Sequence, residues 1–161
     1  MTNRRRSNFV PLLLCVVLFC AASRPARAQE KVLPTYSCNG FAEPLNRPNM
    51  HIGRGRVLPL RAKLLLTDGT AADDTTLKAA PVISLKFQPE SGPEVDKSAV
   101  AEVRDYGKGN AFVYDKEAHW KFDLGTGNLP DDGKYTVTVV SGDAKEYRID
   151  PACSLTFNLG Q

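Results

Sequence analysis

The stretch AFVYDKEAHWKFDLGTGNLPDDGKYTVTVV, residues 111–140, leaves this chain few ways to fold. Phe112 and Tyr114 alternate with Ala111 and Val113, and the turn Asp115-Lys116-Glu117-Ala118 follows. Trp120, Phe122 and Leu124 then alternate with His119, Lys121 and Asp123. A period of two on both sides of a short polar turn predicts a β-hairpin with one apolar face. Trp120 shares that face with Phe122 and Leu124, so its register places it in the core rather than on an exposed platform for a sugar.

After residues 125–130, Gly133-Lys134-Tyr135 opens a Val/Thr-rich run. A Tyr two residues past a Gly at the entry to a strand resembles the tyrosine corner of immunoglobulin-like sandwiches. A buried ring obliges its hydroxyl to find a partner, and the backbone just upstream can supply one. Gly133 lets the chain turn tightly beside the ring. Val137 occupies the position of the second cysteine of antibody domains, which argues against an antibody-type inter-sheet disulfide.

The same alternation recurs along the chain. Residues 57–67 carry apolar side chains at every even position up to Leu66, with Pro59, Arg61 and Lys63 between them, a long strand with one buried face. Pro59 puts the start of that strand at an edge or a bulge. Residues 68–80 read as a loop, because Asp73-Asp74-Thr75-Thr76 combines poor helix formers. Ile83, Leu85 and Phe87 mark a strand over 81–88, residues 98–104 a weaker one, and Leu155, Phe157 and Leu159 a terminal one. Residues 145–149 are expected to pair briefly. Residues 29–49 have no sustained periodicity and contain Pro34, Gly40, Pro44 and Pro48, which predicts an extended segment along the surface, pinned at Cys38. The fold class expected is an all-β, immunoglobulin- or fibronectin-like antiparallel sandwich of seven or eight strands over 50–161.

Residues 1–28 are read as a leader outside the fold. Arg4, Arg5 and Arg6 precede an apolar run over 10–22, and Ala26-Arg27-Ala28 offers small residues where a signal peptidase cleaves. The run is short for a membrane span, so export with cleavage after Ala28, to the periplasm or beyond the cell, is expected, with no span left in the exported chain. The leader holds five of the 21 basic residues and no acid, leaving 16 basic against 18 acidic and a formal charge of −2. Without a basic patch, nucleic-acid binding is not expected. Of four cysteines, Cys38 and Cys153 remain beyond residue 28. In an exported chain such a pair predicts a disulfide, worth roughly 4 to 5 kcal/mol in the chain-entropy picture. A reactive thiol or a metal pair is the alternative, but no Cys-x-x-Cys spacing or histidine cluster accompanies it.

Phe41-Ala42-Glu43-Pro44-Leu45, the run over 55–64, and Thr67-Asp68-Gly69 resemble the opening of the PxKF domains of secreted bacterial proteins. Residues 112–115, 120–124 and 133–139 resemble that family's second half, a Tyr-Asp hairpin followed by a Gly-x-Tyr strand. Arg61 and Ala62 depart from the Lys and Phe of the signature, and residues 143–152 lengthen the last hairpin. The resemblance covers about residues 41–160. It implies an immunoglobulin-like sandwich and brings no catalytic residue with it.

Catalytic chemistry finds few convergent groups. His51 and His119 are the two histidines, and no nucleophile elbow or phosphate loop occurs. Met50-His51 is an incomplete copper set. His119 falls on the face opposite Trp120, as a solvated strand residue. Neither cofactor nor metal is predicted. In an antiparallel sandwich, the loop 68–80, the turn 115–118 and the segment 141–152 should share one end, gathering Asp68, Asp73, Asp74, Asp115 and Asp143 with Tyr147 as an exposed contact. Tyr106 is a second such contact. The acids lack the dense alternation of a dedicated calcium loop. Such an end is either a solvated rim or a contact surface. The function expected is that of an exported, non-enzymatic binding or accessory module for a protein or cell-surface ligand, with a small periplasmic enzyme or an enzyme inhibitor as the alternative.

Overall fold

The computed structural model describes residues 31–45, 47, 50–101, 109–115 and 117–160. The leader read over 1–28 and Tyr106 lie outside these residues. Ten strands form among them: β1 Thr35–Phe41, β2 Met50–Gly53, β3 Val57–Leu65, β4 Val82–Gln88, β5 Val95–Asp96, β6 Val113–Tyr114, β7 Trp120–Gly125, β8 Gly133–Val140, β9 Arg148–Ile149 and β10 Ser154–Gly160. Seven of them have four residues or more. β5, β6 and β9 are two-residue pairings at sheet edges.

The strands build two five-stranded sheets in the orders β6-β7-β3-β1-β9 and β2-β10-β8-β4-β5. With β1 to β10 set against the immunoglobulin lettering, these are the orders D-E-B-A and A′-G-F-C-C′, with β9 added beside A. The alternation in sequence explains the layering. Leu58, Leu60, Ala62 and Leu64 of β3 and Trp120, Phe122 and Leu124 of β7 point inward from one sheet. Ile83 and Leu85 of β4, Tyr135, Val137 and Val139 of β8, and Leu155 and Phe157 of β10 meet them from the other.

Several sequence expectations need correction. Of the segment 29–49, residues 35–45 do not lie along the surface. β1 pairs with β3 and, in parallel, with β9, and Tyr36, Cys38 and Phe41 join Leu45 in the core. The sandwich therefore begins before residue 50. Its strand was hidden because the register shifts between Cys38 and Phe41, which breaks the period of two at Asn39-Gly40. The strand expected over 98–104 is replaced by a single 3-10 turn at Ser98–Val100, preceded by β5, while residues 102–108 lie outside those described. β3 is an interior strand, yet β1 registers only with its Ala62, Leu64 and Leu65. Pro59 thus sits where only β7 flanks β3, so its missing N–H removes no bond to β1.

Three devices fasten the two sheets. Cys38 of β1 is bonded to Cys153, just ahead of β10, across a sequence separation of 115. The chain at 110–114 crosses between sheets: Ile83 N donates to Asn110 O at 2.9 Å and Phe112 N to Pro81 O at 2.8 Å, before β6 pairs with β7. At the entry to β8 the buried Tyr135 hydroxyl donates to Asp131 O at 2.9 Å and accepts from Asp131 N at 3.3 Å. Gly133 there has φ 137° and packs so close that a Cβ would stand 3.1 Å from the Phe87 ring.

A second tyrosine does comparable work. Tyr147, 2% exposed, donates its hydroxyl to Ala79 O at 3.1 Å and accepts from Gly142 N at 3.0 Å. Gly142 is so tightly laid against the loop 68–80 that a Cβ would come within 2.0 Å of Ala80 O, a backbone atom that has little room to retreat. Gly142→Ala should therefore cost about 3 kcal/mol in urea denaturation. A loss below about 1 kcal/mol would mean that the two segments separate easily. Tyr135→Phe should cost about 1 kcal/mol, because Asp131 O loses its donor in a buried setting. A neutral result would place that hydroxyl in water.

Candidate functional site

Three loops converge at the end of the sandwich where β3 finishes. The loop after β3 keeps touching its own strand, with Ala72 N donating to Leu64 O at 2.8 Å and Leu65 bridging Ala71. Trp120, fully buried on β7, reaches across to it, its Nε1 donating to Ala72 O at 2.9 Å. From the other side Tyr147 holds Ala79 and the 141–147 segment together. The Tyr36 ring, buried on β1, meets Tyr147 edge-on at 5.9 Å. The polar loops are thus tied to the core through aromatic side chains with a polar tip.

The acidic residues of this end shape the turns. Asp68 accepts from Thr70 N at 2.8 Å. Asp73 accepts from the backbone N–H of Thr75 and Thr76 at 3.1 and 2.7 Å and from their hydroxyls at 2.8 and 2.6 Å. Asp143 accepts from Lys145 N at 2.8 Å. These are Asx-type turns, in which a short carboxylate replaces a backbone acceptor. The hydroxyls of Thr76 and Thr75, then the Thr76 amide, hold the Asp73 carboxyl down to about 2. The Thr70 amide lowers Asp68 in the same way.

The turn between β6 and β7 is built on Asp115. Its Oδ1 accepts from Glu117 N at 3.0 Å and from His119 N at 2.8 Å, and Ala118 takes φ 62° to bring the chain back. The His119 Nδ1 lies 3.8 Å from Asp115 Oδ1, and the Lys121 Nζ lies 3.8 Å from Asp115 Oδ2. One ligand atom from each of Asp115, Glu117 and His119 falls within 4.8 Å of the other two. Sequence register had placed His119 on the face opposite Trp120, as a solvated strand residue. It is half-buried instead, its ring beside the Asp115 carboxylate on the same side as Lys121.

Burial, followed by the charges of Asp73, Asp74 and Asp115, raises the Tyr114 hydroxyl above the ordinary tyrosine value. Tyr114 also packs at 5.1 Å against Trp120. Tyr147, expected as an exposed contact, is instead buried, and burial is the first cause that raises its hydroxyl. A loop position had suggested exposure, but the loop folds back on the core. Asp131 and Asp132 belong elsewhere, beside Lys97 and Arg54. A hollow of about 500 Å³ opens near Asp96, Ser98 and Asn110. Asp96 accepts from Ser98 N there, and bonds from Ser98 lower its carboxyl.

No family model matches the chain, and neither does any curated protein. Among solved structures, domains 4 and 5 of the S-layer protein SbsC are similar over 78% of this chain and 54% of that one, at 12% identity and a TM-score of 0.38. The chain thus spans about half the length of that structure. The twitchin kinase region from C. elegans is similar over 79% of this chain and 15% of that one, at 11% identity and a TM-score of 0.27. Neither likeness is close enough to bring a ligand or partner with it.

The Asp73 bonds give stability a pH dependence of definite sign. The folded value is below the ordinary 3.8, so the contribution is fully present above about pH 5 and is lost as the pH falls through about 2. Denaturation curves of the native chain and of Asp73→Asn should differ most above about pH 5 and converge toward pH 2. A gap that stays constant over that range would show that the charge of the carboxylate is not used.

Proposed function

We propose that this chain is an exported, non-catalytic binding or accessory module that meets its partner with the loop end formed by 68–80, 115–119 and 141–147. The observation that carries this reading is the anchoring of the 68–80 and 141–147 loops to the core by Trp120 and Tyr147, beside a 115–119 turn closed on Asp115, which presents a pre-ordered surface and lowers the entropy lost on binding. The chemistry of the carboxylates supports it. Asp68 and Asp73 are stronger acids than usual and are engaged by backbone donors, whereas a general acid or base works best near neutrality. The disulfide fits an oxidising compartment, and the resemblance to PxKF domains fits export.

Amide exchange on the chain, alone and with isolated envelope fractions, tests the reading. Protection is expected in the three loops. Protection confined to 125–133 or to the sheet faces would place the contact elsewhere. Turnover of any member of a hydrolase and oxidoreductase substrate panel, lost on His51→Ala or His119→Ala, would make the chain a small enzyme instead.

A further inference from the structure

We propose that the turn between β6 and β7 is a binding site for a borderline first-row divalent cation of the zinc class, held by Asp115, Glu117 and His119. This goes beyond the docking role above and does not depend on it. The three residues alternate along the turn, and their ligand atoms lie within 4.8 Å of one another. Donors around one zinc ion at about 2.1 Å stand about 3.4 Å apart, so closure asks at most about 1.4 Å of approach between any two of them. Glu117, exposed, can make that movement by side-chain rotation. Asp115 stays in place, because two backbone amides hold its Oδ1. Its Oδ2 has the ammonium of Lys121 at 3.8 Å.

The donor set selects the ion. One imidazole nitrogen with two carboxylates suits zinc and its neighbours, while calcium and magnesium favour all-oxygen shells. Three protein donors leave at least one position for water or for a donor from a bound partner. Lys121 is the resident counter-charge that an incoming ion would displace from Asp115.

The test is titration of the untagged chain with zinc chloride and, separately, calcium chloride, followed by calorimetry and by the ring resonances of His119. One saturable zinc site is expected, with the His119 ring shifting and the His51 ring unchanged. His119→Ala and the exposed Glu117→Gln should each weaken binding at least about tenfold, while His51→Ala leaves it intact. Lys121→Gln should tighten it. Zinc binding that survives both His119→Ala and Glu117→Gln, an absence of saturable binding, or a preference for calcium would overturn the proposal. Far-ultraviolet circular dichroism of each variant separates loss of the site from loss of the fold.

Discussion

The fold depends on the meeting of two apolar sheet faces, Leu60, Phe122 and Leu124 from one side and Tyr135, Val137 and Phe157 from the other, all fully buried. Area removed from water there drives association of the sheets, and every other interaction operates within the geometry it sets. The hydroxyls of Tyr135 and Tyr147 show the constraint most clearly. Each ring contributes apolar area to the interior, and each hydroxyl must then be satisfied by backbone at the rim, Asp131 in one case and Ala79 with Gly142 in the other. Burial of a tyrosine therefore fixes a loop, and two such loops lie at different corners of the sandwich.

What could be read in the sequence follows from how strictly a strand keeps its period. β3, β4, β8 and β10 alternate throughout, and β7 as far as Leu124, and all were legible, as was Trp120 in the core and the disulfide joining Cys38 to Cys153. β1 was missed because its alternation is interrupted at Asn39-Gly40 by a shift that only pairing with β3 reveals. β6 was legible as the first arm of the hairpin and β9 as the brief pairing expected over 145–149, whereas β5 is too short for any periodic signal and exists through its neighbour β4. At the loop end, chain position foretold which segments gather but not which side chains face water. Tyr147 turned inward, and His119 is half-buried beside the Asp115 carboxylate.

The sheet edges are managed by brevity. β5, β6 and β9 end their sheets with two residues each, and β2 with four, so little unpaired backbone is offered to another chain. β1 and β2, although consecutive, belong to different sheets, and the same is true of β9 and β10. Both ends of the described chain thus grip both layers. Sliding one sheet over the other would strain these crossings together with the passage through residues 110–114.

The position of the disulfide also sets how the domain would carry mechanical load. A pull applied before Cys38 and after Cys153 passes through the sulfur atoms, and the stretch of 114 residues between them, which contains most of the sandwich, lies off the line of tension. Beyond that link, β10 runs parallel to β2 and is bonded along Phe157 to Gly160. Under oxidising conditions the domain is therefore a nearly inextensible link in whatever chain it joins, and reduction of one bond would restore its full contour length.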